Sequence, residues 1–578
     1  MRWSRVRLRT HLRPGLLLAL IAVAEYASPW RTAGRAVTLV VATILTVGFV
    51  RASLRHLHLA RRVRAVVRGR LLELALSAAA LALLASKAVV LSREFLEPEA
   101  APGLEAAYRQ YAAGFLIVAG LRLVAGDLSI RRVTYRLDLR PAQTVALGFA
   151  GAILAGTLLL SLPASVARLE DLSLLDALFT AVSAVTVTGL IVYDPGSFHT
   201  GFGQGVLLVL IQLGGLGTMV ASASLVVLAG RRLLLRQAVA VQETLDLQTV
   251  GQVRADLRAI VGLTCVAEGV GAVLLWALWA GNPAVETPWF AALFHAVSAF
   301  CNAGFSTFAT GLLPFRDDPA TCAVIAALIV LGGLGFPLLR SVGRWMAAAR
   351  SARRVPGLSL HARLTLLASA VLLLAGFVGA LGLEWRNALE PLSWPGRVSN
   401  AGFLSVTART AGFATVPIDL LAPATLWLVM VLMFVGGSPG STAGGIKTTT
   451  AAIIVSALWA TLRGRPRVEA FRRTIPDEQV AKALALVGVS GAVLAAAVLT
   501  LLATQSGGAL PLTFEAVSAF GTVGLSTGLT PTLDTWGRVV LLVLMFVGRT
   551  GPLTLGFALA ARTTRSSVVY PTEKVMIG

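Results

Sequence analysis

The chain has 578 residues, of which 56% are hydrophobic and only 13% are charged, and its mean hydropathy is +0.78. Because a soluble domain carries about 25% charged residues, this composition excludes an array of soluble domains, a disordered scaffold and a fibrous protein. It is typical of a polytopic membrane protein. The net charge of +22 would suggest nucleic-acid binding in a soluble chain, but here the distribution of Lys and Arg over the loops must be considered first.

Apolar stretches near the length of about 20 residues that crosses a bilayer predict twelve spanning segments. They cover residues 15–27, 36–50, 71–91, 111–126, 142–162, 205–230, 260–280, 322–339, 364–383, 425–462, 483–504 and 539–561. The first two stretches are short, and 425–462 is too long for one plain helix and is interrupted by glycines. The basic N-terminus has no convincing cleavage pattern, so we expect it to be retained.

The basic residues alternate between the two faces of the predicted bundle. The N-terminus, every second loop and the C-terminal tail hold 36 of the 50 Lys and Arg residues, and the opposite loops hold 9. Because Lys and Arg concentrate on the cytoplasmic side, this split predicts a multi-pass protein of the cytoplasmic (inner) membrane with both termini in the cytoplasm. The charges are spread over many loops, so no nucleic-acid partner is expected. The remaining basic residues lie in or beside spans: Lys87, Arg109, Arg122, Lys447 and Arg549.

Four shorter apolar segments between the spans resemble one another. Three of them contain Ala-Val-Ser-Ala, which ends five residues before a Gly that is followed by Leu or Phe. The four glycines, separated by 115, 108 and 112 residues, are Gly189, Gly304, Gly412 and Gly524. A second set follows 24 to 28 residues later at Gly214, Gly332, Gly436 and Gly548. Two glycines at matched spacing in four copies indicate a fourfold internal repeat.

About ten apolar residues cannot cross about 30 Å of hydrocarbon, so each short segment must enter and leave on the same side. Non-helical backbone at this depth is tolerated only where it is buried in protein or lines a water-filled path. Four such segments around one axis would present a ring of carbonyl oxygens, which can replace the hydration shell of a cation. The alternative is that the glycines only allow close helix packing.

These motifs resemble those of the Trk/Ktr/HKT superfamily of potassium-translocating subunits, most closely the KtrB branch. The resemblance covers residues 138–578 and implies an all-α membrane protein with four helix–pore-loop–helix repeats around one pseudo-fourfold pore. We expect an N-terminal membrane extension of about four helices at 1–137 and a cytoplasmic tail at 566–578. The expected pore repeats are 138–258, 259–360, 361–475 and 476–565.

The resemblance implies that the carbonyl oxygens of four filter segments bind K⁺. The filter residues are Thr186, Val187, Thr188, Gly189, Cys301, Asn302, Ala303, Gly304, Arg409, Thr410, Ala411, Gly412, Gly521, Thr522, Val523 and Gly524. In this family a glycine in all four filters accompanies a preference for K⁺, and a serine in the first accompanies Na⁺. Gly189 therefore implies K⁺ as the transported ion, with Na⁺ as the second candidate. No nucleotide site is expected on this chain, because it has no Walker-type phosphate loop.

The third repeat is interrupted inside its inner helix. Five glycines and a proline within ten residues cannot remain helical. The resemblance implies that this loop is the gate, with residues Gly436, Gly437, Ser438, Pro439, Gly440, Ser441, Thr442, Ala443, Gly444, Gly445, Ile446 and Lys447. A charge inside a span indicates function, so we predict that Arg549 bonds loop carbonyls and holds the gate closed. The alternative is a helix-to-helix bond with no role in gating.

Four further polar residues lie at membrane depth. Arg409 is predicted to brace its filter by hydrogen bonds to neighbouring loops. His295 and Glu515 both lie nine residues before a filter glycine, which indicates either an outer cation or proton site or polar groups near the start of a short helix. Glu268 lies within a predicted span, where we expect it to form an ion pair.

The resemblance further implies a homodimer, surrounded by membrane lipids, that binds a cytoplasmic nucleotide-binding ring of KtrA or TrkA type. Two other classes compete. An ion-coupled secondary transporter normally consists of two similar halves, whereas this repeat is fourfold. A membrane enzyme should cluster His, Asp, Glu or Cys at one face. The six histidines are dispersed, so the chain is not expected to be an enzyme, and we assign no catalytic residue.

Overall fold

A computed structural model describes residues 141–167, 173–228, 250–283, 285–350 and 358–551. The predicted N-terminal extension with Lys87 and Arg122, and the C-terminal tail, lie outside these residues. In the described ranges, four helices are long and apolar enough to cross a membrane, and a bent pair makes a fifth candidate. These helices indicate a multi-pass membrane protein, while the total of twelve spans stays a prediction.

The first repeat consists, in chain order, of an outer helix, a short buried helix, a four-residue helix and an inner helix. The helices are α1 (Pro141–Leu160), α2 (Leu174–Thr186), α3 (Pro195–Phe198) and α4 (Gly201–Leu228). The side chain of Ser173 accepts a hydrogen bond from the amide of Asp176, which fixes the start of α2. Helices α1, α2 and α4 all pack against one another.

The second repeat has the same order but a bent inner helix. Its helices are α5 (Val250–Trp279), α6 (Pro288–Phe300), α7 (Pro319–Leu334) and α8 (Phe336–Arg350). The predicted span over 322–339 therefore contains a sharp bend, because α7 and α8 meet at an angle of 98°. Gly335 at the break has a φ of 80°. Pro337 has no amide hydrogen for the carbonyl of Gly333, its partner in a continuous helix, and its ring would clash with that carbonyl.

The third repeat contains two separate helices where the sequence has one long apolar stretch. Its helices are α9 (Leu360–Glu384), α10 (Trp394–Thr407), α11 (Pro423–Phe434) and α12 (Thr448–Leu462). The glycine-rich segment 435–447, named here the intramembrane loop, separates α11 from α12 and is not helical. The glycines and the proline account for this break.

A short hairpin connects α12 to the fourth repeat. Its strands β1 (Glu469–Ala470) and β2 (Arg473–Thr474) pair antiparallel. The fourth repeat then consists of α13 (Asp477–Thr504), α14 (Ala509–Gly521) and α15 (Thr535–Thr550).

The short helices α2, α6, α10 and α14 form the centre of the described structure. Phe179, Phe294 and Phe514 occupy the same position in three of them and are completely buried. Few residues of the long helices α9 and α13 are buried, only 17% in the most apolar stretch of each helix. Apolar residues facing outward are expected where the surrounding solvent is lipid.

An ion pair joins the fourth repeat to the first. Arg538 on α15 donates to the carboxylate of Asp176 on α2, which is almost fully buried. The second oxygen of Asp176 accepts hydrogen bonds from the hydroxyls of Ser173 at 2.5 Å and Tyr193 at 3.2 Å. The last repeat is thereby fastened to the start of the first short helix.

We predict that Asp176→Ala lowers the stability of the protein, because it leaves the guanidinium of Arg538 without its carboxylate. Removing one partner of a buried pair costs about 3 kcal/mol. The midpoint of thermal unfolding in detergent should fall by several degrees. The control is Glu478→Ala, which removes an exposed pair with Lys482 and should leave the midpoint unchanged. Equal midpoints for the two variants would contradict the prediction.

Candidate ion pathway

The four short helices end in the same unusual backbone conformation. The residue two positions before each filter glycine has a positive φ, with values of 58° at Val187, 60° at Asn302, 70° at Thr410 and 50° at Thr522. The four filter glycines also have positive φ, between 69° and 94°. Such angles are uncommon for residues with a side chain. Their recurrence at four equivalent positions indicates one shared filter backbone rather than four unrelated turns.

The filter segments contact one another in chain order. A Cβ added to Gly189 would overlap the carbonyl oxygen of Ala303 in the second segment. The same contact recurs at the next three steps, between Gly304 and Ala411, Gly412 and Val523, and Gly524 and Thr188. Each glycine therefore faces the carbonyl of the residue before the next filter glycine, and the fourth segment returns to the first. The four segments surround a single axis.

The serine of the Ala-Val-Ser-Ala motif holds the filter backbone in the first and fourth repeats. The hydroxyl of Ser183 accepts a hydrogen bond from the amide of Gly189 at 3.0 Å. The hydroxyl of Ser518 accepts one from the amide of Gly524 at 3.1 Å. Each bond fixes the glycine against its own short helix.

The second and third repeats use a related bond one residue further along. Ser298 donates to the carbonyl of Phe305 at 2.8 Å, and Thr407 donates to the carbonyl of Phe413 at 2.7 Å. In the sequence, Ala-Val-Ser-Ala marks the repeats but does not by itself predict a role for these hydroxyls. The constant distance from the serine to the filter glycine was the available signal.

The second set of glycines packs against the ends of the short helices. Gly214 lies against the carbonyl of Val185, so closely that a Cβ would overlap it. Two other repeats have the same contact, between Gly332 and Phe300 and between Gly548 and Phe520. In these three repeats the close approach of the inner helix to its short helix explains why a glycine lies at the matched position.

His295 and Glu515 make equivalent contacts with the segment that follows each filter. Nε2 of His295 lies 2.9 Å from the hydroxyl of Ser306, and Ser526 donates to Glu515 at 2.6 Å. Glu515 also accepts bonds from the amide and hydroxyl of Thr527 and from the hydroxyl of Thr530. These contacts occupy both carboxylate oxygens. They favour a bracing role over an outer cation site.

The intramembrane loop lies against the inner end of the filter. The hydroxyl of Thr442 donates to the carbonyl of Phe300 at 3.1 Å and lies 3.3 Å from the side-chain amide of Asn302. A Cβ on Gly444 would overlap the hydroxyl of Thr522. The loop thus touches the residues two positions before the filter glycine in at least two repeats.

Arg549 bonds both the intramembrane loop and an inner helix. Its Nη1 donates to the carbonyl of Thr442, and its Nη2 donates to the carbonyl of Gly214 at 2.8 Å and to the hydroxyl of Thr218 at 3.2 Å. The sequence left two alternatives for Arg549, a bond to the loop and a bond between helices. The side chain makes both. Arg549 is only 7% exposed.

Two other cations, both partly buried, also bond carbonyl oxygens. Lys447 donates to the carbonyl of Ala443 at 2.6 Å, which closes the loop on itself. Arg409 donates to the carbonyl of Gly436 at 3.2 Å and to the hydroxyl of Ser369 at 3.4 Å. Among the described residues, no carboxylate forms a salt bridge with Lys447, Arg409 or Arg549. The charge of each is held by uncharged oxygens.

Glu268 lies behind the second filter segment. Gln212 donates to it at 3.2 Å, and the thiol of Cys301 lies 3.8 Å from its carboxylate. Among the described residues the partners of Glu268 are an amide and a thiol, so the expected ion pair stays a prediction. Within that part, no group of three or more His, Cys, Asp or Glu residues could hold a metal ion.

Comparison with known proteins decides the family. The sequence profile of TrkH, described as a cation transport protein, matches residues 149–566. The chain belongs to the TrkH family. Ktr system potassium uptake protein B of Vibrio alginolyticus is 39% identical over 439 residues, which are 75% of this chain and 94% of that protein. The Bacillus subtilis protein of the same name is 38% identical over 444 residues, which are 76% of this chain and 97% of that protein.

Two further TrkH-family comparisons agree. The potassium/sodium uptake protein NtpJ of Enterococcus hirae is 37% identical over 465 residues, which are 78% of this chain and 100% of that protein. The crystal structure of the potassium transporter TrkH from Vibrio parahaemolyticus superposes with a TM-score of 0.59 at 19% identity. The superposition covers 86% of this chain and 97% of the TrkH chain. The predicted family and the all-α polytopic membrane fold are confirmed.

We predict that Glu515→Ala destabilises the protein, because it leaves the buried hydroxyl of Thr530 and the partly buried donors of Ser526 and Thr527 without their acceptor. One unsatisfied buried group costs about 1–3 kcal/mol, so a clear fall in the thermal unfolding midpoint is expected. The matched control is Thr513→Ala on the same helix, whose hydroxyl donates to the carbonyl of Ala509 within α14. An unchanged midpoint in Glu515→Ala would contradict the bracing role.

Proposed function

We propose that this chain takes up K⁺ across the cytoplasmic membrane through a channel-like pore. The single observation that carries the proposal is the closed ring in which each filter glycine faces a carbonyl of the next repeat. A ring of carbonyl oxygens can replace the hydration shell of a desolvated cation. The curated relatives named as potassium uptake proteins are matched over nearly their whole length, which supports the same substrate here.

In this proposal, the ion meets backbone dipoles rather than ionised side chains. The short helices α2, α6, α10 and α14 end at the filter, so the negative ends of their dipoles face the ion. A carboxylate ring is not needed. Neutral oxygens bind a desolvated ion firmly enough for it to enter, yet weakly enough for it to leave. The hydroxyls of Ser183, Ser298, Thr407 and Ser518 keep these carbonyls in position.

The intramembrane loop is the proposed gate, and Arg549 is the residue proposed to hold it closed. The contacts of Thr442 with the second filter support a position that obstructs the path. Opening requires the loop to leave the filter, and therefore the bonds from Arg549 and Lys447 to loop carbonyls to break. Such bonds are reversible, because the same carbonyls and cations can be hydrated in an open path.

The proposed assembly is a homodimer controlled by a cytoplasmic nucleotide-binding ring. Support comes from relatives named as parts of a Ktr system. Na⁺ remains the second candidate ion, because one relative is named a potassium/sodium uptake protein. An ion-coupled symporter is the alternative mechanism, and flux measurements separate it from a channel-like pore.

We predict that Gly189→Ser reduces discrimination between K⁺ and Na⁺. The new side chain would meet the carbonyl of Ala303 in a backbone with a φ of 87°, so the carbonyl ring must shift. A tenfold loss of selectivity corresponds to about 1.4 kcal/mol and is the expected scale. The measurement is competitive cation flux into liposomes that contain the purified protein.

The matched control is Gly201→Ser in the same repeat, where a Cβ meets nothing within 4 Å. It should keep the wild-type selectivity. Retained K⁺ preference in Gly189→Ser would count against the filter. Transport of another solute in place of K⁺, with the partner ring present, would favour a carrier instead.

We predict that Arg549→Gln raises K⁺ flux in the absence of the partner ring, because the loop loses a charge-assisted bond worth about 1.5–3 kcal/mol. The expected increase is about tenfold or more. Arg549→Lys should give an intermediate flux, since it keeps the charge but loses the second donor nitrogen. The exposed Arg463→Gln serves as control. Equal flux in Arg549→Gln and wild type, with and without the ring, would refute the proposed role of Arg549 in holding the loop closed.

A further inference from the structure

The residue three positions before each filter glycine stands where its short helix gives way to the filter backbone. These residues are Thr186, Cys301, Arg409 and Gly521. In the first and third repeats this side chain bonds groups of its own repeat, and Gly521 has no side chain. Cys301 differs, because its thiol lies between helices of two repeats.

The thiol of Cys301 forms a closed set of contacts with a carboxylate and an amide. Its Sγ lies 3.8 Å from Oε1 of Glu268 on α5 and 3.6 Å from Oε1 of Gln212 on α4. Nε2 of Gln212 donates to Oε2 of Glu268 at 3.2 Å. Cys301 is completely buried, and Glu268 is 7% exposed. The three side chains thus join the inner helix of the first repeat, the outer helix of the second and the second filter segment.

Helix α4 makes room for this set of contacts. A Cβ on Gly215 would lie 2.5 Å from Sγ of Cys301, so a larger residue there would displace the thiol. Gln212 and Gly215 are three residues apart and therefore lie on the same face of α4. One face of α4 supplies both the space and a polar partner for the thiol.

The position of Cys301 determines where the second segment places its carbonyls. The amide of Cys301 donates to the carbonyl of Val297 at 2.9 Å, which continues the bonding pattern of α6. The chain then enters left-handed backbone, with a φ of 60° at Asn302. The carbonyl of Ala303 faces Gly189 in the ring. A displaced thiol would therefore move a carbonyl that is proposed to bind the ion.

The two donors around Glu268 favour a carboxylate over a side chain that merely fills the same volume. One of its oxygens accepts from the amide of Gln212, and the other faces the thiol of Cys301. A glutamine in this place has the same shape but only one acceptor oxygen, because its nitrogen donates. It would leave either the amide or the thiol facing a second donor. A carboxylate at membrane depth is costly, so its presence here indicates a function beyond packing.

We propose that Glu268 is a positioning residue that sets the selectivity of the second filter segment through Cys301. Together with Gln212 it holds the thiol against α4, which fixes the carbonyl of Ala303 in the ring. Glu268 itself does not touch the ion. The effect on selectivity rests on the proposed function, because it names a determinant of that same filter, whereas the contact with Cys301 does not.

The first experiment measures competitive K⁺ and Na⁺ flux into liposomes that contain the full-length protein. We expect Glu268→Gln to lower the preference for K⁺ about fivefold, which is the scale of one lost hydrogen bond. The exchanged double variant, Glu268→Gln with Gln212→Glu, again places one carboxylate and one amide beside Cys301. It should recover most of the preference.

The matched control is Glu384→Gln, which changes a second buried carboxylate in the same way. Glu384 lies in the outer helix of the third repeat, and its partners Asn387, Ala388 and Ala422 lie outside the filter segments. This variant should keep the wild-type preference. An equal loss in both glutamine variants would overturn a specific role in favour of general destabilisation. An unchanged preference in Glu268→Gln, or no recovery in the exchanged variant, would overturn the role of Glu268.

A double-mutant cycle separates positioning from packing. Cys301→Ala removes the thiol and should reduce the preference for K⁺ by a similar factor. Adding Glu268→Gln to Cys301→Ala should cause no further loss, because residues that act through one contact are not additive. Losses that multiply would show that Glu268 acts independently of Cys301 and would overturn the proposal.

The second experiment tests the contact without transport. The chain has three cysteines, so Cys265→Ser with Cys322→Ser leaves Cys301 as the single thiol. The full-length protein in detergent is treated with N-ethylmaleimide, and labelling is followed by intact mass. We expect Glu268→Gln to raise the labelling rate of Cys301 several-fold, because the thiol loses one of the two acceptors that hold it. The exchanged pair should restore slow labelling, and Glu384→Gln should leave the rate unchanged.

The two experiments divide the possible failures. Equal labelling rates in Glu268→Gln and its parent would overturn the contact that holds Cys301. Faster labelling with an unchanged K⁺ preference would overturn the influence on selectivity. Absence of K⁺ flux in every sample, wild type included, would contradict the proposed function, and the labelling rates would then decide the contact alone.

Discussion

Backbone polar groups inside a membrane must find partners within the protein, and this constraint shapes every non-helical segment at membrane depth here. The filter segments meet it with hydroxyls from their own short helices, such as Ser183 for Gly189 and Ser298 for Phe305. The intramembrane loop meets it with groups from three other inner helices. A filter supported from within its own repeats can stay rigid, whereas a loop supported from outside can be released.

The buried and partly buried cations follow from the same constraint. Arg549, Lys447 and Arg409 each bond carbonyl oxygens of the loop. Carbonyls bind a cation without neutralising it, so such bonds exchange with water more readily than a buried ion pair breaks. The charges also lie beside a proposed path for K⁺, where they disfavour an ion while the loop is in place. In the proposed gate, closure and electrostatic exclusion would thus arise from the same side chains.

The third repeat differs from the others where the inner helix should approach its short helix. In three repeats a glycine packs against a carbonyl at the end of the short helix, as Gly214 does against Val185. In the third, Gly436 lies instead against the carbonyl of Gly444, within the loop itself. The position used elsewhere for helix packing is the start of the intramembrane loop, which is the proposed gate. The neighbouring break at Gly335 frees backbone groups that bond this loop. The carbonyls of Gly332 and Gly333 accept from loop amides, and the amide of Phe336 donates to the carbonyl of Gly440.

The sequence alone determined the membrane class, the family, the four glycines at matched spacing and the interruption at 435–447, because each depends on local composition or on a repeated spacing. It also contained Gly335 and Pro337, but the apolar run around them concealed the bend. Only the tertiary structure decided that the four proposed filter segments close into a ring in chain order and that Glu268 accepts a hydrogen bond from Gln212. It also decided that Arg549 reaches both Thr442 and Gly214. These contacts join residues far apart in the chain, and they depend on how four repeats are arranged around an axis, which no local pattern encodes.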